Sequence, residues 1–399
     1  YEIEKQVEEN GNYKIKVETT SGRTNSKIQK VSDLSEDMEI YTAEDLVKFR
    51  ERVNKGATYE ERTITVMDNI DLSIVCGENV KGKEENWKPI GHWNTDEDNA
   101  IFRGTFNGNY HSLDNIYINE EYKIAGLFGY NQGTIQNLIM NNVYIYDDYS
   151  NAERASIESN AIGSLVGINE GKIENIGINS GSITSINTSN AVPEYRHQQV
   201  GGICGKSSGG LISNCYNYAN ITVKNNTGTA NTYPENFAGG IIGMNAAKCT
   251  LLNCYNAGKI TSIGSCTAIL GGVSGRVYNG IIEKCYNYGL ITGNNAKGYY
   301  IGGIAGQNGW VTGTQGTITN SYCTNTSATY AYSDSNNTYT NGIVNETTLK
   351  GYANNLGDEF IPDGKRVDKD GNIVDNKDEK GNIKYINNGY PILKWQVEH

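Results

Sequence analysis

The stretch from Val200 to Val223, VGGICGKSSGGLISNCYNYANITV, concentrates the residue types that could do chemistry. Glycines precede Lys206 and Ser207, and two cysteines (Cys204, Cys215) stand near Tyr216 and Tyr218. A phosphate loop needs Gly-x-x-x-x-Gly-Lys-Ser/Thr ahead of a helix, because backbone N–H groups must converge on the anion. This stretch has neither that spacing nor a helical pattern after it. The eight cysteines contain no Cys-x-x-Cys pair and the chain has four histidines, so zinc-ligand spacings are missing. None of His92, His111, His197 and His399 begins His-Glu-x-x-His, the zinc helix of a metallopeptidase. The run DKDGNIVD (368–375) resembles a calcium loop, but Gly371 comes fourth rather than sixth, so an Asp-Gly turn is the plainer reading. Glycoside cleavage needs convergent carboxylates. The repeats offer Glu174 and Glu283 and little else, while Asp96, Glu97 and Asp98 read as a loop.

The elements around these residues repeat. A first box recurs as AGLFG (125–129), GSLVG (163–167), GGICG (201–205), GGIIG (239–243), GGVSG (271–275) and GGIAG (302–306), with closing glycines 38, 38, 38, 32 and 31 residues apart. A second box follows each, with the pattern Gly-x-Ile-x-Asn-Cys-Tyr-Asn-x-Gly-x-Ile, as in GLISNCYNYANI (210–221) and GIIEKCYNYGLI (280–291). Short apolar spots between Gly and Asn read as brief strands joined by corners. Units of this length in a row stack as a parallel β-solenoid. The third box position (Leu127, Leu165, Ile203, Ile241, Val273, Ile304) is assigned to the interior, and the closing glycines to tight corners.

Stacking places Cys215, Cys254 and Cys285 in one column, with Ser321 next. Neighbours about 4.8 Å apart on parallel strands suit disulfide geometry poorly, so the column reads as small buried thiols. Tyr216, Tyr255, Tyr286 and Tyr322 form the adjoining column, expected to pack on one another; an exposed ladder could instead bind sugar rings. Variable segments at roughly 184–199, 222–237, 261–269 and 292–300 share one place in the repeat and should emerge on one side. Their Tyr195, Arg196, Tyr233, Tyr299 and Tyr300 are the candidate ligand contacts.

The flanks differ. YTAEDLVKFRERVNKG (41–56) is the one good helix, capped by Thr42, with Leu46, Phe49 and Val53 on one face. Residues 1–38 read as a β-hairpin, the end of a preceding Ig-like module or an added cap. Residues 39–124 read as the solenoid's lead-in and cap, 125–345 as its repeats, and 346–399 as a C-terminal cap with a charged hairpin insertion.

Composition agrees with a thin core: 37% of residues are hydrophobic and 47 of the 399 are Gly. A net charge of −11 argues against nucleic acid and anionic membrane surfaces as partners. No apolar run approaches the ~18 residues of a membrane span, and direct membrane insertion is not expected. No leader is legible at Tyr1, so a secreted protein would be represented here by a processed or excised piece.

GLFGYNQGTIQNL (126–138) and the later GGI-x-G…NCYN-x-G-x-I units resemble the GLUG-motif repeat. YTAEDLVKFRERVNKG…WKPIG…FRGTFNGNYHSL and the closing NNGYPILKWQ match how such regions begin and end. The resemblance covers about 40–395. It implies a bacterial cell-surface or secreted protein, adhesin-like, of a kind also found beside IgA-cleaving metallopeptidase domains.

The sequence thus predicts an all-β fold: a right-handed parallel β-helix with an N-terminal cap containing one short helix. The expected role is a non-catalytic stalk that binds a host protein or glycan through its variable loops. No catalytic residue, metal or cofactor is expected. The rival readings are the non-catalytic repeat region of a secreted peptidase and a polysaccharide-acting β-helix enzyme.

Overall fold

The computed structural model describes residues 11–18, 24–31, 36–77, 86–93, 99–119, 123–148, 159–187, 197–225, 235–264, 267–295, 299–309, 313–334 and 337–398. From Ile124 to Asn295 the chain runs through the same four short strand regions five times, and a sixth round starts at Tyr299. Each round is one coil with four faces. The first face collects Ile124–Ala125, Ser159–Gly163, His197–Gly201, Glu235–Gly239, Thr267–Gly271 and Tyr299–Gly302. The second collects Phe128–Asn131, Val166–Asn169, Cys204–Ser208, Ile242–Ala246, Ser274–Tyr278 and Ala305–Asn308. The third runs from Met38–Ile40 through Thr134–Asn141 and its successors to Ile343–Val344. The fourth runs from Tyr117–Asn119 to Ile291–Asn295.

Coil pairs with coil in parallel and in register, as in Val166 with Cys204 and Cys204 with Ile242. This arrangement satisfies the backbone of each strand above and below, and it is a stacked parallel β-solenoid. Its interior is narrow. Leu127, Leu165, Ile203, Ile241, Val273 and Ile304 are all fully buried in one apolar cluster extending from Ile40 to Ala331. Inward side chains of the other faces, such as Val200, Ile212 and Ile221, complete the same cluster, and each buried aliphatic side chain contributes about 1.5–3 kcal/mol.

The closing glycines are not corner residues, contrary to the sequence reading. Gly129, Gly167, Gly205, Gly243, Gly275 and Gly306 have no left-handed φ. They are points of close approach instead. A Cβ on Gly205 would collide with the backbone of Ala161 and Ile162, and one on Gly243 with that of Gln199 and Val200. The first and second faces therefore press together at an acute bend. The left-handed corners on the third face belong to asparagine: Asn137, Asn175, Asn214 and Asn253 have φ of 53–56°, and Lys284 takes the next copy at 54°. Asparagine tolerates this region and bonds along the stack, with Asn175 Nδ2 donating to Asn137 Oδ1 at 2.8 Å and Asn253 to Asn214 at 2.9 Å.

A second asparagine column lies inside. Asn217, Asn256 and Asn287 are fully buried and donate in series, at 2.9 and 2.8 Å. Their bulk explains the second glycine of the Gly-Gly boxes. A Cβ on Gly202, Gly240 or Gly272 would strike Asn217, Asn256 or Asn287 in turn.

The helix Ala43–Asn54 closes the N-terminal end. Thr42 caps it by accepting from the Asp45 N–H at 3.2 Å, and Leu46, Phe49 and Val53 are buried. Phe49 packs among Tyr59, Phe102, Phe106 and Phe128. Because the third face already starts at Met38, the lead-in shares a continuous sheet with the repeats. Gly11–Glu18 pairs antiparallel with Thr24–Val31. Residues 346–398 lie along the side of the stack, against its tyrosine column, and include the antiparallel pair Lys365–Val367 and Ile373–Asp375. Among the described residues no helix is long and apolar enough to cross a membrane.

Candidate functional site

Fourth-face strands end at Asp148, Asn187, Asn225, Gly264 and Asn295; the first-face strands that follow begin at Ser159, His197, Glu235, Thr267 and Tyr299. All five connections therefore leave from one corner of the coil. They shorten from 149–158, 188–196 and 226–234 to 265–266 and 296–298. Nearly all of the drop in repeat length occurs here, so this corner tolerates length change while the four faces do not.

Beside that corner lies the bend between the first and second faces. Toward its C-terminal half it holds a charged and aromatic cluster. The Phe237 ring stacks on His197 at 4.9 Å, and the Arg276 guanidinium lies 4.2 Å from the same ring. Arg276 pairs with Glu235 at 3.1 Å and donates to Gln307 Oε1 at 3.1 Å from Nε. Burial pushes His197 down to about 4 and raises Glu235 above the usual carboxylate range. At neutral pH the imidazole is uncharged, and the ion pair carries the only charges in the contact. This is a clamp that holds the two faces together.

Toward the N-terminal half the same bend opens into a cleft of about 220 Å³ lined by Lys123, Ile124, Asn160, Ala161, Ile168, Gln199 and Lys206. Near the last coil a larger groove of about 420 Å³ lies between Leu290, Tyr300 and Ile301 on one side and Asn325–Tyr330 on the other. Tyr300 is 42% exposed and Tyr330 39%, so both present ring surface there.

Of the candidate contacts, Tyr195, Arg196 and Tyr233 lie outside the described residues. Tyr299 pairs with Ala268 on the first face, and Tyr300, paired with Ile269, reaches the groove. The corner thus brings the last two together only as strand neighbours. Asp96, Glu97, Asp98 and His399 also lie outside the described residues.

The cysteine and tyrosine columns are aligned and enclosed. Cys215, Cys254 and Cys285 are free and buried, and burial pushes the Cys215 and Cys285 thiols well above their ordinary range. Tyr216, Tyr255 and Tyr286 stack with centroids 5.3 and 4.9 Å apart. These distances are set by the spacing between coils. The C-terminal segment covers the column: Trp395 stacks on Tyr216, and Asn387 Nδ2 donates to the Tyr286 hydroxyl at 2.7 Å. The Tyr218 and Tyr288 hydroxyls both donate to Asn387 Oδ1. The column is packing, not an open sugar platform.

At Asp368 and Asp378 the carboxylates accept from their own turns, Asn372 N–H at 2.8 Å and Asn382 N–H at 2.9 Å. Among the described residues no group of three His, Cys, Asp or Glu gathers as a metal site.

The clamp was missed in the sequence. Aligning the closing glycines puts His197 and Glu235 in one column, which was legible. That Arg276, on a different face, reaches them depends on the acute bend.

No family model matches the chain, and no curated protein sequence matches it. Its fold is similar to a crystal structure of a candidate immunoglobulin A1 protease from Bacteroides ovatus, with a TM-score of 0.55 and 16% identity over 90% of this chain and 92% of that one. A second solved structure, described as an IgA1 protease, aligns at a TM-score of 0.45 and 15% identity. This chain covers 22% of its length. At these identities the first likeness concerns the fold, and the second carries no structural argument.

Proposed function

We propose that the chain is a non-catalytic solenoid region of a secreted, peptidase-related bacterial protein. It works outside the cell, displaying its variable connections and the adjoining groove to a host protein or glycan. The observation that carries this reading is the single corner from which all five connections leave. A rigid stack with one permissive edge is suited to presentation, and binding loops concentrate at such edges. The likeness to a candidate immunoglobulin A1 protease makes immunoglobulin A1 the first partner to test. The coil is read as right-handed, the hand that parallel crossovers take.

Two features favour a non-catalytic role. The sequence lacks His-Glu-x-x-His. Glu174 pairs with Ser213, Ser213 with Leu252 and Leu252 with Glu283, so the two repeat carboxylates are three coils apart. That is on the order of 14 Å, beyond the separation of a glycosidase pair.

The test compares the wild-type chain with a variant whose 188–196 and 226–234 segments are cut to the length of 296–298. Binding to immobilised immunoglobulin A1 and to a glycan array is measured for both. Binding of immunoglobulin A1 by the wild type and its loss in the variant is the expected result. Retained binding refutes the loop assignment, and cleavage of immunoglobulin A1 by the purified chain refutes the non-catalytic reading.

A further inference from the structure

We propose that the cleft at the bend between the first and second faces binds a carboxylate-bearing monosaccharide unit of a glycan. This deepens the glycan-binding reading above and rests on it, but it uses framework residues rather than the variable connections.

Register explains why the cleft sits where it does. Outward positions of the first face run Ile124, Ala161, Gln199, Phe237, Ile269, Tyr300. Those of the second run Tyr130, Ile168, Lys206, Met244, Arg276, Gln307. Around Phe237 and Arg276 the bend is filled by the clamp. One coil before Phe237 the same positions carry Gln199 and Lys206, and two coils before they carry Ala161 and Ile168. The small Ala161 leaves the space that Phe237 fills further on.

Three properties of that space point to one ligand chemistry. Lys123 and Lys206 both line it, and among the described residues no carboxylate does, in a chain of net charge −11. Two ammonium groups with no acid between them favour an anionic group. Gln199 is 5% exposed, and its Oε1 is buried without a hydrogen-bond partner. A buried, unpartnered amide oxygen is costly unless a ligand hydroxyl or N–H donates to it. The Gln199 backbone is held from the coil below: Asn160 Oδ1 accepts from the Gln199 N–H at 3.3 Å, while Asn160 Nδ2 donates to Asp147 and Ser185 at 3.1 Å. Ala161, Ile124 and Ile168 supply an apolar wall. Anion, hydroxyl donor and apolar face together describe an acidic sugar, and a volume of about 220 Å³ suits one ring.

Calorimetric titration of the full chain tests this with three probes: sodium glucuronate, glucose and sodium sulfate. Saturable glucuronate binding is expected, with glucose and sulfate each at least about fivefold weaker, because the charge and the hydroxyl donors act together. Lys206→Gln is expected to weaken glucuronate by at least about fivefold, with an unchanged melting temperature, since it removes one charge-assisted contact. Gln199→Leu and Lys123→Gln are each expected to weaken glucuronate as well, by removing the hydroxyl acceptor and the second charge, and unchanged affinity in both overturns the proposal. No saturable binding, or a smaller effect of Lys206→Gln, overturns the proposal. Sulfate equal to glucuronate makes the cleft a plain anion site, and glucose equal to glucuronate makes it a neutral-sugar site; either overturns it. The loop-shortened variant separates the two readings. If it keeps glucuronate binding while neither chain binds immunoglobulin or the array, the broader function fails and the cleft stands.

Discussion

Replacing Asn256 with alanine should destabilise the stack well beyond the loss of one hydrogen bond. Asn256 is fully buried in the middle of the inner asparagine column. Its Nδ2 donates to Asn287 Oδ1 at 2.8 Å and to the Gly258 carbonyl at 2.9 Å. Its Oδ1 accepts from Asn217 Nδ2 at 2.9 Å and from the Gly258 N–H at 3.2 Å. Alanine removes all four. Some partners keep a second bond: Asn217 Nδ2 keeps Ala219 O, Asn287 Oδ1 keeps the Gly289 N–H, and the Gly258 N–H keeps Asn217 O. The Gly258 carbonyl loses its side-chain donor inside the fold. One stranded buried acceptor costs about 1–3 kcal/mol and each net bond about 1 kcal/mol, so the expected loss is about 2–4 kcal/mol. Asn220→Ala is the control, because exposed Asn220 makes one bond, accepting from the Lys259 N–H at 3.0 Å. Urea unfolding followed by tryptophan fluorescence gives the two midpoints, and hydrogen exchange at Gly258 and Gly289 locates the damage. A loss below about 1 kcal/mol, or one equal to the control, would refute the claim that the column holds neighbouring coils together.

The clamp makes a second prediction: Arg276→Met strands Glu235 and should cost about 3–5 kcal/mol, with Arg276→Met/Glu235→Leu recovering most of it in the same melts. His197 gives a pH test. Its folded value of about 4 lies below the unfolded 6.5, so stability present above pH 6.5 is lost as pH falls toward 4. Glu235, raised by burial, works in the opposite direction, so the comparison that matters is wild type against His197→Gln. The variant should lose about 2–3 kcal/mol less across that window, and equal losses would contradict it. Lys284 occupies a left-handed corner that asparagine fills in the four preceding copies. Lys284→Asn should raise stability by up to about 1 kcal/mol, and a fall would mean that the lysine has a compensating role. Finally, the ladder thiols should resist iodoacetamide until the chain is unfolded, and reductant should leave the melting temperature unchanged; reaction in the folded state would argue against their burial.

Spacing and residue type were enough to reveal the solenoid, its strand positions, the aliphatic stripe from Leu127 to Ile304 and the cysteine and tyrosine columns. A stacked fold makes this possible because every coil reads the same local rules, so one register aligns all copies. The helix at Ala43–Asn54 was legible for a similar reason, since its cap and apolar face are contained within it. What each glycine does was not legible. A residue without a side chain signals both a left-handed turn and a close approach, and the folded chain separates them: asparagine takes the corners, and glycine lets the first face press on the second. The same bend brings Arg276 to Glu235 and Phe237, and it opens the cleft at Gln199 and Lys206. The C-terminal segment's place over the tyrosines was equally out of reach. It depends on contacts such as Asn387 to Tyr286, 101 residues apart, which no local pattern encodes.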